Sequence, residues 1–222
     1  MKNNLLIAVL FTLSGLFLLD CMGVAIKYLR NDYPAAVLSV YRNFFGMIPC
    51  IFVLCLSSRW HENGRTIIIK EWRLGLLRGI FVCFAQICLY TSYFYVPYAL
   101  VATMEHTGPM IVSLLCIPIL GERCGLFKMS AVVAGFIGII LIMQPGTDEF
   151  NFYLLLPVCA AFGYSIARVT SLSFSREVLS PLINIYAQIG TIFCSSMIIV
   201  FFNDTATTEI YTRSIVGSVR CV

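Results

Sequence analysis

The sequence predicts an all-α fold, a polytopic transmembrane helix bundle. Of the 222 residues, 59% are hydrophobic and 12% are charged, against about 45–50% and about 25% in an average soluble domain. The apolar residues form runs close to the ~20 residues that a helix needs to cross a bilayer. Because the charges lie mostly between these runs, we exclude a soluble globular domain, a disordered chain, collagen and a coiled coil.

The first four predicted helices are separated by charged or helix-breaking residues. The first predicted helix ends before Lys27. No A-x-A-like cleavage site follows it, so we expect a membrane helix and not a cleaved signal peptide. Pro34 opens the second, Gly79 follows Arg78 at the start of the third, and Pro97 precedes the fourth. The predicted ranges are 5–26, 34–56, 79–96 and 98–120.

Three more predicted helices follow. The fifth lies between Lys128 and Pro145, the sixth comes after the acidic pair Asp148-Glu149, and the seventh follows Pro181. Their predicted ranges are 129–145, 153–172 and 182–202. Within the fifth, small residues recur at four-residue spacing, a pattern that favours close helix packing; they are Ser130, Ala134 and Gly138.

Loop charges predict that the N-terminus is cytoplasmic, in a multi-pass protein of the cell inner (plasma) membrane. One side of the membrane receives Lys2, Arg59, Arg65, Lys70, Arg73, Arg78, Arg123, Lys128 and Arg176, and the other receives Lys27 and Arg30. Topogenesis also explains the net charge of +4. Because the cations form no single patch, we expect no nucleic-acid partner.

Of the ten cysteines, those within the apolar runs are interpreted as small buried hydrophobic residues. Eight lie inside apolar stretches: Cys21, Cys50, Cys55, Cys83, Cys88, Cys116, Cys159 and Cys194. The chain has no CxxC motif. Two pairs, Cys50/Cys55 and Cys83/Cys88, are separated by five positions, which puts the two members of each pair on different helix faces. We therefore expect no metal site and no cofactor.

Arg42 is the first candidate for substrate binding. It lies about eight residues into its helix, or ~12 Å from the helix start, too deep for easy snorkelling. With Asn43 beside it, Arg42 is predicted to bind an anionic group of the substrate. The alternative is a structural partner for Asp20 or Glu105.

Asp20 and Glu105 are the candidates for coupling, because an ionisable group at bilayer depth needs a functional or structural reason. Glu105 and His106 come just before Gly108-Pro109, where proline removes a backbone hydrogen bond and interrupts the helix. The alternative places Glu105 nearer the outer face, partly hydrated. Arg168, near the cytoplasmic end of its helix, is interpreted as a snorkelling residue.

A polar stripe on the third helix completes the candidate site. Gln86, Tyr90 and Tyr93 follow one another at spacings of four and three, so they share a helix face. Gln86 and Tyr90 are predicted to line a substrate cavity, with packing as the alternative. Tyr93 is interpreted as part of the aromatic belt at the outer interface.

Helices one and two have a weak sequence similarity to helices six and seven, which we call the internal echo. Tyr41-Arg42-Asn43 corresponds to Tyr186-Ala187-Gln188, each following a proline at the start of its helix. Because five is an odd number of helices, the second copy of a five-helix repeat has the opposite orientation in the membrane. Inverted repeats of this kind are a common construction of secondary transporters.

The chain also resembles the EamA-like group of the drug/metabolite transporter superfamily. The resemblance lies in Leu77-Arg78-Gly79, Tyr95-Val96-Pro97-Tyr98-Ala99, Thr107-Gly108-Pro109, Leu120-Gly121-Glu122-Arg123, and Gly135-Phe136-Ile137-Gly138 through Gln144-Pro145-Gly146. It implies ten helices in two inverted five-helix repeats, both termini in the cytoplasm, and export or exchange of small metabolites.

The resemblance predicts the domain organisation. Residues 1–146 would form the first repeat and residues 147–202 the first two helices of the second, so that about three helices are missing. Residues 203–212 resemble a translated sequencing-library adapter, and we expect residues 203–222 to be a non-native tail.

These observations predict a secondary transporter that moves a small-molecule substrate by alternating access, with or without coupling to protons. The alternatives are an intramembrane enzyme and a non-transporting assembly subunit. Against the enzyme, Gly163-Tyr164-Ser165 lacks the closing glycine of a nucleophile turn, and His106 is the only histidine in a predicted span. We expect the protein to be surrounded by the lipid bilayer, either as a monomer or as a homodimer.

Overall fold

In a computed structural model, the described part of the chain is helical, as the sequence predicts. The structure describes residues 2–29, 32–62, 67, 71–120, 125–143, 152–172, 174 and 178–218. The helices are α1 (Lys2–Leu29), α2 (Ala35–Leu56), α3 (Ser58–Glu62), α4 (Trp72–Tyr95), α5 (Tyr98–Glu105), α6 (Gly108–Leu120), α7 (Leu126–Met143), α8 (Leu155–Leu172) and α9 (Ser180–Ser218), with a single 3-10 turn at Phe152–Leu154.

Six stretches are long and apolar enough to cross a membrane, which confirms a multi-pass helical membrane protein. They are Val9–Leu29, Ala35–Leu56, Trp72–Tyr95, Tyr98–Pro118, Phe152–Leu172 and Ser180–Phe201. The fifth predicted run corresponds to a shorter apolar helix, Met129–Ile142, and its last residues lie outside the described part.

Two boundaries differ from the sequence-based expectation. The third span begins at Trp72 instead of residue 79, so Arg73 and Arg78 belong to the first turns of α4 and not to a loop. The fourth span is divided into α5 and α6 by a turn at His106 and Thr107. A charged residue can begin a helix, whereas Pro109 lacks the N–H that would continue the helical hydrogen bonds through the turn.

The chain divides into two compact units. The first unit comprises Met1–Leu38 and Phe84–Ser173, and the second comprises Ser39–Cys83 and Phe174–Val222. Both units are discontinuous in sequence, so they do not correspond to the predicted sequence repeats, and those repeats stay a prediction. The predicted non-native origin of residues 203–222 also stays a prediction.

Each unit has its own apolar core. In the first unit, Leu89, Tyr90, Tyr93, Val101 and Met104 are among the buried residues that pack together. The core of the second unit is smaller and is built on Leu54, Leu182 and Ile185.

In the second unit, α4 and α9 cross at a pair of glycines. A Cβ atom on Gly79 would lie 2.4 Å from the carbonyl oxygen of Ala187 and 2.9 Å from Cα of Gly190. Thr191 reinforces this crossing, since its hydroxyl donates a 2.9 Å hydrogen bond to the carbonyl oxygen of Gly79. Close backbone approach of this kind is the usual role of small residues between membrane helices.

Two packing expectations were wrong. In α7, Ser130 and Ala134 are exposed, and a Cβ atom on Gly138 would meet none of the described residues within 4 Å. Of the eight cysteines in apolar stretches, Cys83 is buried, whereas Cys21, Cys55 and Cys159 are exposed. An apolar helix can be apolar on every side, so its sequence does not tell which face packs against protein.

Candidate substrate-binding residues

The interruption between α5 and α6 lies inside a membrane span of the first unit. The His106 N–H donates to the carbonyl oxygen of Ala102 at 3.2 Å, while the Thr107 N–H donates to that of Met104 at 3.1 Å. The second bond closes a tighter turn than the α-helix. Pro109 cannot donate, so the carbonyl of Glu105 cannot receive the ordinary helical bond from that residue. The interruption expected from Gly108-Pro109 is confirmed.

Helix α8 supplies polar side chains to this interruption. The buried Ser165 hydroxyl lies 3.0 Å from the carbonyl oxygen of Gly108 and 2.6 Å from that of Ala161. One turn further on, Arg168 is exposed, and a Cβ atom on Gly108 would lie 3.7 Å from its Nη1 atom. Sequence reasoning treated Arg168 only as a snorkelling residue. Its spacing of three from Ser165 was the signal that both share a helix face.

The two coupling candidates occupy different environments in the first unit. Glu105 is half-buried at the end of α5, whereas Asp20 is exposed on α1. The backbone of Asp20 is engaged, because the Tyr98 hydroxyl donates to its carbonyl oxygen at 3.0 Å. This contact ties α1 to α5 next to Gly23, where a Cβ atom would lie 2.6 Å from the same hydroxyl oxygen.

The polar stripe of α4 is buried inside the first unit. Gln86 and Tyr90 are each 1% exposed, and Tyr93 is 5% exposed. The Tyr93 ring packs against those of Tyr90 and Tyr98 at centroid separations of 6.3 and 5.6 Å. Placing Tyr93 in the aromatic belt was therefore wrong. The helix turn that carries it faces protein, because Tyr98 from α5 covers it.

Arg42 and Asn43 lie on α2 in the second unit. Arg42 is half-buried and Asn43 is buried. The Asn43 amide nitrogen donates a 2.7 Å hydrogen bond to the carbonyl oxygen of Ser39, so part of its capacity is used within its own helix. Ser39 in turn lies 2.9 Å, oxygen to oxygen, from Ser195.

Gln188 is the polar residue that the sequence-based site missed. It lies on α9, and its amide nitrogen is 3.9 Å from the sulfur of Cys50 on α2. Its amide oxygen is buried without a hydrogen-bond partner among the described residues. The internal echo contained a signal for it, since it aligned Tyr186-Ala187-Gln188 with Tyr41-Arg42-Asn43.

The structure assigns the predicted site residues to two units. The first unit contains Asp20, Gln86, Tyr90 and Glu105, and the second contains Arg42 and Asn43. Within the described ranges, no group of three or more His, Cys, Asp or Glu side chains is placed to hold a metal ion.

These features define a class: a multi-pass helical membrane protein with an interrupted span and polar side chains buried within its helices. The chain belongs to the EamA-like transporter family, whose model matches residues 6–144. Membership confirms the resemblance to this group.

Relatives with more specific names match over part of their length. An S-adenosylmethionine uptake transporter of Rickettsia felis is 24% identical over 169 residues, or 72% of this chain and 54% of the relative. A riboflavin transporter of Brucella anthropi is 25% identical over 141 residues, or 62% of this chain and 48% of the relative. The chain therefore spans about half the length of these relatives. No solved structure matches it at a comparable level of significance.

Proposed function

We propose that the chain acts as a secondary transporter that moves a small metabolite across the inner membrane by alternating access. The observation that carries the proposal is the interruption at His106 and Thr107, within the span Tyr98–Pro118. Broken helices near the membrane midplane are a common way for transporters to present backbone groups and side chains to substrates and coupling ions.

The names of the relatives support a substrate class. S-adenosylmethionine and riboflavin both join a planar nitrogen heterocycle to a polar chain, and we propose a substrate of that kind. The family resemblance implied export or exchange, but relatives named as uptake transporters favour inward movement. We therefore propose uptake.

The roles of individual residues are part of the proposal. Arg42, with Asn43 beside it, would bind an anionic substrate group, while Gln86 and Tyr90 would line the path of the substrate. Glu105, half-buried at the interruption, or Asp20 would change protonation during the cycle. The cytoplasmic N-terminus also belongs to the proposal.

Accumulation in cells tests the proposed function. Cells without their own uptake systems for the two compounds would express the chain and receive labelled riboflavin or S-adenosylmethionine. We expect one compound to accumulate above the level in vector-only cells, and preloaded cells would report movement in the opposite direction. Absence of both accumulation and binding to the purified chain would contradict the proposal.

A further inference from the structure

Gln188 is half-buried, and the described residues leave the hydrogen-bonding capacity of its amide largely unused. Its oxygen has no partner within the described part of the chain, and its nitrogen has a weak contact with a sulfur atom 3.9 Å away. Exchanging the oxygen and nitrogen positions does not change this, because the amide would still have one end near Cys50 and the other without a partner. Buried polar atoms in native proteins nearly always have a partner, so an exception needs an explanation.

The neighbouring helix leaves room for this amide. A Cβ atom on Gly46 would lie 3.0 Å from the Gln188 amide nitrogen, tighter than most contacts of that kind. Arg42, Gly46 and Cys50 follow one another at spacings of four on α2, so they lie along one helix face. The amide of α9 therefore lies beside the same face of α2 that carries the guanidinium of Arg42.

From this arrangement we propose that Gln188 is a substrate-binding residue, whose amide pairs with the edge of a planar nitrogen heterocycle. An amide presents a donor and an acceptor side by side, and glutamine pairs in this way with the adenine edge. The imide edge of a flavin offers the same alternation of N–H and C=O groups. This inference rests on the proposed function, from which the heterocycle is taken.

A purely structural role for Gln188 makes a different prediction. If the amide served to hold α9 against α2, its loss would destabilise the unliganded protein. If the amide instead binds a ligand, replacing it with an apolar side chain of similar length removes a buried oxygen that has no hydrogen-bond partner among the described residues. The unliganded protein would then be as stable as the parent or more stable.

The test measures ligand binding and unliganded stability on the purified full chain in detergent. Riboflavin and S-adenosylmethionine serve as probes, and the variants are Gln188→Met and Gly46→Ala. Gly138→Ala is the matched control, because the space around Gly138 is open. We expect Gln188→Met to weaken binding of the probe that the parent binds by at least about tenfold, with an unchanged or raised melting temperature.

The Gly46→Ala variant should weaken binding less than Gln188→Met, because its methyl group displaces the amide without removing it. The Gly138→Ala control should bind as the parent does. Equal binding by parent and Gln188→Met would overturn the inference and leave the proposed function in place. A clear loss of unliganded stability in Gln188→Met would assign the amide a structural role and also overturn the inference. Failure of the parent to bind either probe would reject the proposed substrate class, and the inference with it.

Discussion

The hydroxyl of Ser165 on α8 lies 3.0 Å from the carbonyl oxygen of Gly108, the first residue of α6. The contact lies immediately after the turn that divides the fourth membrane span, where regular helical hydrogen bonds are lost. A backbone carbonyl oxygen has two lone pairs, so that of Gly108 can accept from Ser165 as well as from within its own helix. Ser165 thus stabilises the interrupted helix from a neighbouring helix.

Replacing Ser165 with alanine is expected to destabilise the protein by about 0.5–1.5 kcal/mol, the usual worth of a hydrogen bond. Ser171→Ala is the control, because Ser171 lies on the same helix and its hydroxyl donates within that helix, to Ala167 at 3.1 Å. Unfolding in detergent, followed by circular dichroism, would compare the two variants. Equal stability of the two would show that the contact with Gly108 contributes nothing.

The glycine crossing of α4 and α9 should tolerate no side chain. We expect Gly79→Ala to destabilise the protein by about 1–3 kcal/mol or to prevent folding, since its Cβ would lie 2.4 Å from a backbone oxygen that cannot rotate away. Gly138→Ala should be neutral or stabilise by up to about 1 kcal/mol, because alanine favours the helix. Melting temperatures of the two variants in the same detergent provide the measurement. Similar melting temperatures would contradict the close crossing.

Arg42 should affect a ligand that carries a carboxylate more than a ligand that carries none. The charge-assisted bonds of a guanidinium to a carboxylate are worth about 1.5–3 kcal/mol. We therefore expect Arg42→Ala to weaken S-adenosylmethionine binding by at least about tenfold and riboflavin binding much less. Arg42→Lys should recover part of the loss because it keeps the charge. Equal losses for both ligands, or a loss of folding, would favour the structural ion-pair role of Arg42.

Glu105 is expected to influence coupling more than assembly. Glu105→Gln keeps the shape of the side chain but removes its charge, so uptake should fall and lose its dependence on external pH, while membrane insertion stays at the parental level. Uptake rates between pH 5.5 and 8, normalised to the amount of protein in the membrane, provide the measurement. Parental uptake with an unchanged pH profile would remove Glu105 from the mechanism and leave Asp20 as the remaining carboxylate.

Topology is testable with reporter fusions. Alkaline phosphatase folds only outside the cytoplasm, so a fusion after Asp32 should be active and one after His61 inactive. The physical reason is the excess of Lys and Arg on the side of the membrane that includes His61. Fusions of green fluorescent protein at both positions serve as the complementary control. The opposite pattern of activity would place the N-terminus outside.

Much of the fold followed from the sequence because spanning a bilayer is a property of local composition. The length and position of each apolar run predicted the membrane spans. Gly108-Pro109 predicted the interruption after Glu105, since proline lacks an N–H in any context. The candidate site was less accessible to sequence reasoning. Gln86 and Tyr90 were predicted to share a face, but Gln188 stood out only when Cys50 and Gly46 of another helix were placed beside it.

By itself the sequence determined that this is a multi-pass helical protein with a break in its fourth span, because hydropathy and proline chemistry act within a single segment. Only the tertiary structure decided which face of each helix meets another helix. A glycine at position 138 and a glycine at position 79 look alike in an apolar run, yet the first faces open space and the second meets the backbone of α9. That distinction depends on contacts between residues more than a hundred positions apart, and lipid-facing and protein-facing surfaces are equally apolar.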